Sequence, residues 1–190
     1  MPKEQKQRKI AEKTPSARPA PLIPEAEPAA KAKEETCARS LTEGQRAAEE
    51  AISQWFFNEA RQIFVLSGYA GTGKTFLITH AVKYALHLQP GEEAVFVAPT
   101  GKAAAVLVRN GTPAGTVHSL IYTIDENDFD VDENGEIIRP DRPRFVRREK
   151  IDEKIKLIII DEASMVDETL LNDVLAFGVK CLFCGDKAQL

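Results

Sequence analysis

Cysteine is scarce here: Cys37, Cys181 and Cys184 are the three in a chain of 190 residues. That is too few for a disulfide framework and suits a reducing, cytoplasmic setting. Long hydrophobic runs are missing too, since no apolar stretch approaches the ~18–20 residues that a membrane span requires. The N-terminus carries basic residues but no apolar segment after them, which argues against a secretory signal. There is no excess of positive charge: 25 Lys and Arg stand against 29 Asp and Glu, for a net charge of −4. A blanket electrostatic grip on nucleic acid is thereby excluded, and any such contact must be local. Internal repeats are absent as well. What remains is 43% hydrophobic residues, enough for a sizeable core, and 28% charged residues, ordinary for a soluble protein. The length fits one domain with a tail, or one α/β half of a larger machine.

Residues 1–38 differ from the rest. Six of the eleven prolines lie there among Ala, Lys and Glu, with eight basic and six acidic residues and only Ile10, Leu22 and Ile23 as large aliphatics. So little apolar surface cannot offset the entropy of ordering, and a disordered tether is expected. Residues 39–190 form the expected folded part. Thr42 and Gln45 have capping-box spacing, and Ala48, Ala51, Ile52, Trp55 and Phe56 recur on one helical face. An apolar run over 62–66 precedes a helical pattern from Lys74 to about Leu88. The strand-like run Ala94–Ala98 is followed by an alanine-rich helix over Gly101–Arg109. Residues 155–160 and 179–184 read as further buried strands, with a helix over 167–177 between them. Apolar strands alternating with helices predict an α/β fold with a parallel sheet covered on both faces. Between 121 and 154 the alternation breaks. Residues 125–136 hold seven acids and no base, and 139–150 hold six bases and two acids. Asn134-Gly135 between short apolar-polar alternations predicts a two-residue hairpin within an inserted β-segment.

Gly68-Tyr69-Ala70-Gly71-Thr72-Gly73-Lys74-Thr75 matches the P-loop pattern in full, after an apolar strand and at the start of a helix. Its glycines let successive backbone N–H groups converge on phosphates, and the helix N-terminus adds partial positive charge. Lys74 would place a cation at the β/γ-phosphates of ATP, and the Thr75 hydroxyl would ligate Mg²⁺. Leu157-Ile158-Ile159-Ile160-Asp161-Glu162 supplies an acid pair at the carboxyl end of a buried strand, where ligands bind in open α/β sheets. Asp161 suits the Mg²⁺ shell, and Glu162 is the candidate to orient or deprotonate an attacking water.

Three more segments narrow the class: Ala98-Pro99-Thr100-Gly101-Lys102-Ala103-Ala104, Thr116-Val117-His118-Ser119-Leu120 and Gly185-Asp186-Lys187-Ala188-Gln189-Leu190. With Leu41-Thr42-x-x-Gln45 before the P-loop and Asp161 through Asp167 after the third strand, the set resembles superfamily 1B DNA helicases of the RecD/Dda type. The resemblance covers about residues 40–190. It implies a RecA-like P-loop NTPase domain that binds and hydrolyses ATP with Mg²⁺ and acts on single-stranded or forked DNA in the 5′-to-3′ direction. It implies that Gln45 reads the adenine edge, a role compatible with capping, and that Gln189 senses the γ-phosphate from a strand lying between those of the P-loop and of Asp161. Pro99, Thr100, Lys102, Thr116 and His118 match loops that touch the DNA backbone in that family; for Lys102 and His118, helix capping or a purely structural loop role is the alternative. The 121–154 segment takes the place of the family's small 1B domain, whose hairpin acts as a pin at the fork.

The sequence stops at Leu190, just after the Gln189 motif. The chain is therefore expected to be the nucleotide-binding half of such a helicase, lacking the second RecA-like domain that supplies a transition-state arginine. On its own it is expected to hydrolyse ATP slowly and to unwind nothing. A stand-alone P-loop switch or assembly ATPase that does not act on DNA is the competing expectation. Two other patterns carry less. Asp130-x-Asp132-x-Asn134-Gly135 imitates the front of an EF-hand, but Asp141 stands at the twelfth position and Pro140 and Pro143 obstruct the exiting helix. Cys181-x-x-Cys184 lies on a strand, where residues three apart face opposite sides.

Overall fold

The computed structural model describes residues 41–125, 130–131, 137–138 and 144–186. The predicted tether, Cys37, the Asn134-Gly135 turn and Gln189 fall outside these residues.

Helix α1 (Glu43–Phe56) opens on a complete capping box, with the Thr42 side chain accepting from the Gln45 N–H and the Gln45 side chain accepting from Thr42 N–H. It buries Ile52 and Trp55, whereas Ala51 is exposed. Ala51 lies at the flank of the stripe, one position short of Ile52, and a methyl group there contributes little to the core. Strand β1 (Ile63–Ser67) leads into the P-loop and helix α2 (Lys74–His80). The helix predicted to run to Leu88 widens after His80 into a π-helical segment over Ala81–Ala85, where the Leu86 N–H reaches the Ala81 carbonyl. Strand β2 (Ala94–Ala98) and helix α3 (Gly101–Arg109) have the bounds that the sequence predicts. They are followed by β3 (Ala114–Thr116), the short helix α4 (Val117–Ile121), and strands β4 (Tyr122–Ile124), β5 (Asp130–Val131), β6 (Ile137–Ile138) and β7 (Phe145–Arg147). Strand β8 (Leu157–Ile160), a 3-10 turn over Ala163–Met165, helix α5 (Glu168–Leu175) and strand β9 (Lys180–Gly185) complete the order.

Five strands form one parallel sheet in the order β1-β9-β8-β2-β3. Alternation along β2, β8 and β9 sends side chains into two cores. One holds Phe96, Ile159, Leu182 and Cys184 with Ile52, Trp55, Ile78 and Leu107 from the helices. The other holds Val97, Ile158, Ile160, Cys181 and Phe183 with Leu120, Ile121, Leu170 and Val174. Cys181 and Cys184 thus point into opposite layers, as their spacing on a strand requires. Each fully buried Ile or Leu here contributes roughly 1.5–3 kcal/mol relative to exposure. Covering on both faces does not extend to β1. At this sheet edge Ile63 and Val65 are 41% and 57% exposed, while Phe64 and Leu66 pack inward against the first core. An edge strand flanked by one neighbour needs a helix over each face to be buried twice, and among the described residues only one face has it.

The segment between α4 and β8 is antiparallel. β4 pairs with β7 through Tyr122↔Arg147, Thr123↔Val146 and Ile124↔Phe145. β5 pairs with β6 through Asp130↔Ile138 and Val131↔Ile137. The Asn134-Gly135 turn that the sequence predicts lies between these two strands, outside the described residues.

Candidate functional site at the carboxyl edge of the sheet

The motif segments that follow β1, β2, β3 and β8 gather at one edge because the strands are parallel and each ends on the same side. The P-loop leaves β1 at Ser67, which lies beside Gly185 of β9. Asp161 follows β8, whose Ile160 pairs with Phe183 on one side and Val97 on the other. Pro99 and Thr100 follow β2, and Thr116 ends β3 opposite Ala98. Strand β9 lies between the P-loop strand and the Asp161 strand, the order that the resemblance implied. Gln189 itself is outside the described residues.

The P-loop is shaped by two left-handed glycines, Gly71 (φ +77°) and Gly73 (φ +80°), the latter capping α2. A β-carbon at Gly73 would also meet Gln45 Nε2 at 3.0 Å. Within the loop the Thr72 hydroxyl donates to the Tyr69 carbonyl at 2.8 Å. Lys74 Nζ donates to the carbonyls of Gly68 and Tyr69 at 2.6 and 2.9 Å, so its cation sits inside the curve of the loop. Gln45 bridges two elements: its Oε1 accepts from Thr42 N–H, and its Nε2 donates to the Thr72 carbonyl at 3.2 Å. One amide hydrogen and one oxygen lone pair remain, the donor–acceptor pair that an adenine edge requires. Capping and base reading are therefore compatible on one side chain.

Across β9, the Asp161 N–H donates to the Val97 carbonyl, and Asp161 Oδ1 accepts from the Glu162 N–H at 3.1 Å. Glu162 itself adopts a left-handed conformation, φ 53° and ψ 46°, and its side chain is exposed. This geometry costs a residue with a β-carbon roughly 1–2 kcal/mol. The thiol of Cys184, on β9, is buried. Burial pushes it up to about 12, with the Asp161 carboxylate adding to the shift and the Lys74 cation opposing it. One buried group thus feels both sides of the site. Thr75 and Asp161 offer a hydroxyl and a carboxylate, hard oxygen donors of the kind Mg²⁺ takes while keeping several waters. Among the described residues no group of three or more His, Cys, Asp and Glu could hold a metal. The donors present fit a magnesium ion shared with phosphates rather than an all-protein cage.

At the other end of the edge, the candidate DNA-contact threonines are helix caps. Thr100 Oγ1 accepts from Ala103 N–H at 3.2 Å. Thr116 Oγ1 accepts from Ser119 N–H at 3.1 Å, and Ser119 Oγ accepts from Thr116 N–H in return. Each threonine hydroxyl still has its own hydrogen to donate. Lys102 is exposed in the first turn of α3. His118 is exposed on α4, with its ring 5.4 Å from that of Tyr122.

Tyr122 is a residue that the sequence did not single out. Its hydroxyl donates to Asp173 Oδ2 at 2.5 Å across 51 residues, and no local pattern announces such a contact. The hydrogen bond to the Asp173 carboxylate, then burial, raise its pKa from 10.0 to about 12. The neutral phenol is the form the fold favours, so the stability it contributes is complete below about pH 10 and is lost as pH rises toward about 12. The expected result is a steeper alkaline loss of stability in the native chain than in Tyr122→Phe, read by denaturant melts at pH 9 to about 12.

A family model described as an AAA domain matches residues 40–190. An uncharacterised protein of Methanocaldococcus jannaschii is 34% identical over 137 residues, covering 68% of this chain and 11% of that protein. An uncharacterised protein of Acanthamoeba polyphaga mimivirus is 26% identical over 160 residues, covering 71% of this chain and 30% of that protein. The chain therefore spans a minor part of the length of these relatives. Among solved structures, Bacteroides Pif1 bound to ssDNA is similar with a TM-score of 0.48 at 24% identity, over 78% of this chain and 32% of that one. The large terminase of a thermophilic bacteriophage, in complex with ATP-gamma-S, is similar with a TM-score of 0.39 at 15% identity, over 72% of this chain and 36% of that one.

Proposed function

The chain belongs to the AAA domain family, within the RecD/Pif1-like helicases, and from that premise we propose that it is the ATP-binding and ATP-hydrolysing motor half of a DNA helicase. The observation that carries the proposal is the convergence of a complete P-loop and an Asp-Glu pair on two strands separated by β9. In this proposal the N–H groups of Gly71 to Lys74 and the Lys74 ammonium hold the β- and γ-phosphates, and Gln45 meets the adenine. Thr75 and Asp161 hold Mg²⁺, which when bound draws charge off the phosphate oxygens. Glu162 takes the proton of the attacking water or fixes its direction, and Gln189 has the role of sensing the γ-phosphate. In this reading the anion is met by the Lys74 ammonium together with backbone donors of the loop.

Pro99, Thr100, Lys102, Thr116 and His118 supply the nucleic-acid face. Hydroxyls, one cation and an imidazole along the neighbouring ends of β2 and β3 suit phosphate and sugar contacts that do not read sequence. The substrate in this proposal is single-stranded DNA, followed in the 5′-to-3′ direction, with the antiparallel segment at 121–154 as the 1B-like insertion. A second RecA-like domain is the partner that robust turnover calls for.

The test is twofold. Calorimetry with Mg·ATP on the 190-residue chain should show uptake, and its absence would defeat the nucleotide assignment. A version carrying a second RecA-like domain should then hydrolyse ATP faster with oligothymidylate present. Turnover indifferent to single-stranded DNA would defeat the helicase assignment and leave an ATPase of another kind.

A further inference from the structure

Two side chains on one face of α1 reach toward the P-loop helix. Gln45 and Glu49 are four residues apart, so they lie one above the other. Gln45 Nε2 donates to the Thr72 carbonyl at 3.2 Å, just before α2 begins. His80 Nδ1, on the last residue of α2, donates to Glu49 Oε1 at 2.7 Å. A carboxylate can only accept, so Nδ1 carries the hydrogen. Helix α1 is thus fastened to both ends of α2, while Ile52 packs with Ile78 and Val82 in the first core.

The His80 ring is itself held in place. Phe76 precedes it by four residues, with ring centroids 6.1 Å apart, and Tyr84 follows it by four, at 4.6 Å. The side chains of His80 and Glu49 are only 22% and 19% exposed, so water competes less for their contact than for a surface pair.

What these contacts serve is the Gln45 amide. Its Oε1 accepts from Thr42 N–H and its Nε2 donates to the Thr72 carbonyl, so the two ends cannot exchange without losing both bonds. An amide fixed this way offers an acceptor and a donor in one order. Adenine presents an amino donor beside its N7 acceptor, whereas guanine presents acceptors at both O6 and N7. Gln45 can therefore satisfy adenine on both counts, and on guanine it sets one acceptor against another. A site built on such a pairing rejects the wrong partner strongly. The discrimination requires α1 to stand at a set place beside the loop. The Thr72 bond alone leaves the helix free to pivot about one point, and the Glu49–His80 contact removes that freedom.

We propose that Glu49 and His80 are the pair that positions Gln45, and that they thereby set a preference for adenine over guanine nucleotides. This rests on the nucleotide reading above, with Gln45 at the base, and adds the two side chains that hold it there. Both are positioning residues, acting through Gln45.

Calorimetric titration of the 190-residue chain with Mg·ATP and with Mg·GTP tests the proposal. The native chain should bind ATP about tenfold or more tighter than GTP. Glu49→Ala should cut that preference to about twofold by weakening ATP, while its affinity for GTP stays within about twofold of native. Alanine suits a helix interior and neither core loses a side chain, so the variant should fold. His80→Ala breaks the same contact from the α2 side and should collapse the ratio in the same way. Glu49→Gln keeps an oxygen to accept from His80 and should retain most of the preference. Gln45→Ala sets the floor, since it removes the amide outright. The proposal is overturned if Glu49→Ala or His80→Ala keeps the native ratio while Gln45→Ala loses it. It is equally overturned if Glu49→Ala weakens ATP and GTP alike, which would mark a general loosening of the loop. A native chain that binds ATP and GTP equally removes the base-reading role of Gln45 and the proposal with it, and leaves the P-loop assignment standing. One that binds neither removes the nucleotide assignment itself.

Discussion

Glu162→Gly is expected to abolish ATP turnover and at the same time to raise the melting temperature. The two effects have separate origins. Removing the carboxylate removes the group assigned to the attacking water, a contribution typically worth about 10²–10⁴ in rate. Placing glycine at φ 53° relieves a conformation that costs other residues roughly 1–2 kcal/mol. For a domain of this size each kcal/mol moves the midpoint by about 2–4 °C. Glu162→Gln supplies the control, since it should lose turnover to a similar degree and gain no stability. Single-turnover hydrolysis and thermal melts of the two variants, with Mg·ATP binding measured by calorimetry, separate these outcomes. Should Glu162→Gly melt no higher than Glu162→Gln, the left-handed backbone is not a source of strain. Should Glu162→Gln hydrolyse ATP at the native rate, the assignment of the carboxylate fails.

Lys74→Ala should remove most of the affinity for Mg·ATP. The ammonium is the one side-chain cation within the P-loop sequence, and it is held in the curve of the loop by the carbonyls of Gly68 and Tyr69. A hydrogen bond to a charged group is worth about 1.5–3 kcal/mol, so its loss toward a phosphate weakens binding about 10- to 100-fold. The fold should survive, because Gly71 and Gly73 set the backbone of the loop and the side chain is not part of either core. Calorimetric titration at constant magnesium reads the change. Equal uptake by the native chain and Lys74→Ala would place the nucleotide elsewhere.

The parts of this fold that could be read from the sequence are those where local chemistry and burial agree. Ala94–Ala98 is apolar at every position and buried at every position, and Thr100 caps the helix after it, so both elements begin and end where the letters change. The P-loop and the acid pair were legible for the same reason: a short run of residues carries the whole chemistry. β3 and α4 were not foreseen as elements. Ala114-Gly115-Thr116 has little strand propensity and is held by pairing with β2, and a five-residue helix is stabilised by its capping box and by Leu120 and Ile121 in the second core. The π-helical widening after His80, the left-handed Glu162 and the Tyr122–Asp173 contact leave no trace in spacing, because tertiary contacts fix them. Gln45 lies between these cases. Its capping role is visible in Thr42-x-x-Gln45, while its bond to Thr72 depends on where α1 meets the P-loop.

The place of β9 in the sheet has a consequence for how the protein matures. Ile63 finds its ladder partner only in Cys181, so the strand that carries the phosphate loop stays unpaired on a ribosome until the final described strand has been made. Pairings so distant in sequence close slowly. Nucleotide affinity should therefore emerge late in synthesis, and a nascent chain released before Lys180 would carry an intact P-loop sequence whose leading strand has no ladder partner.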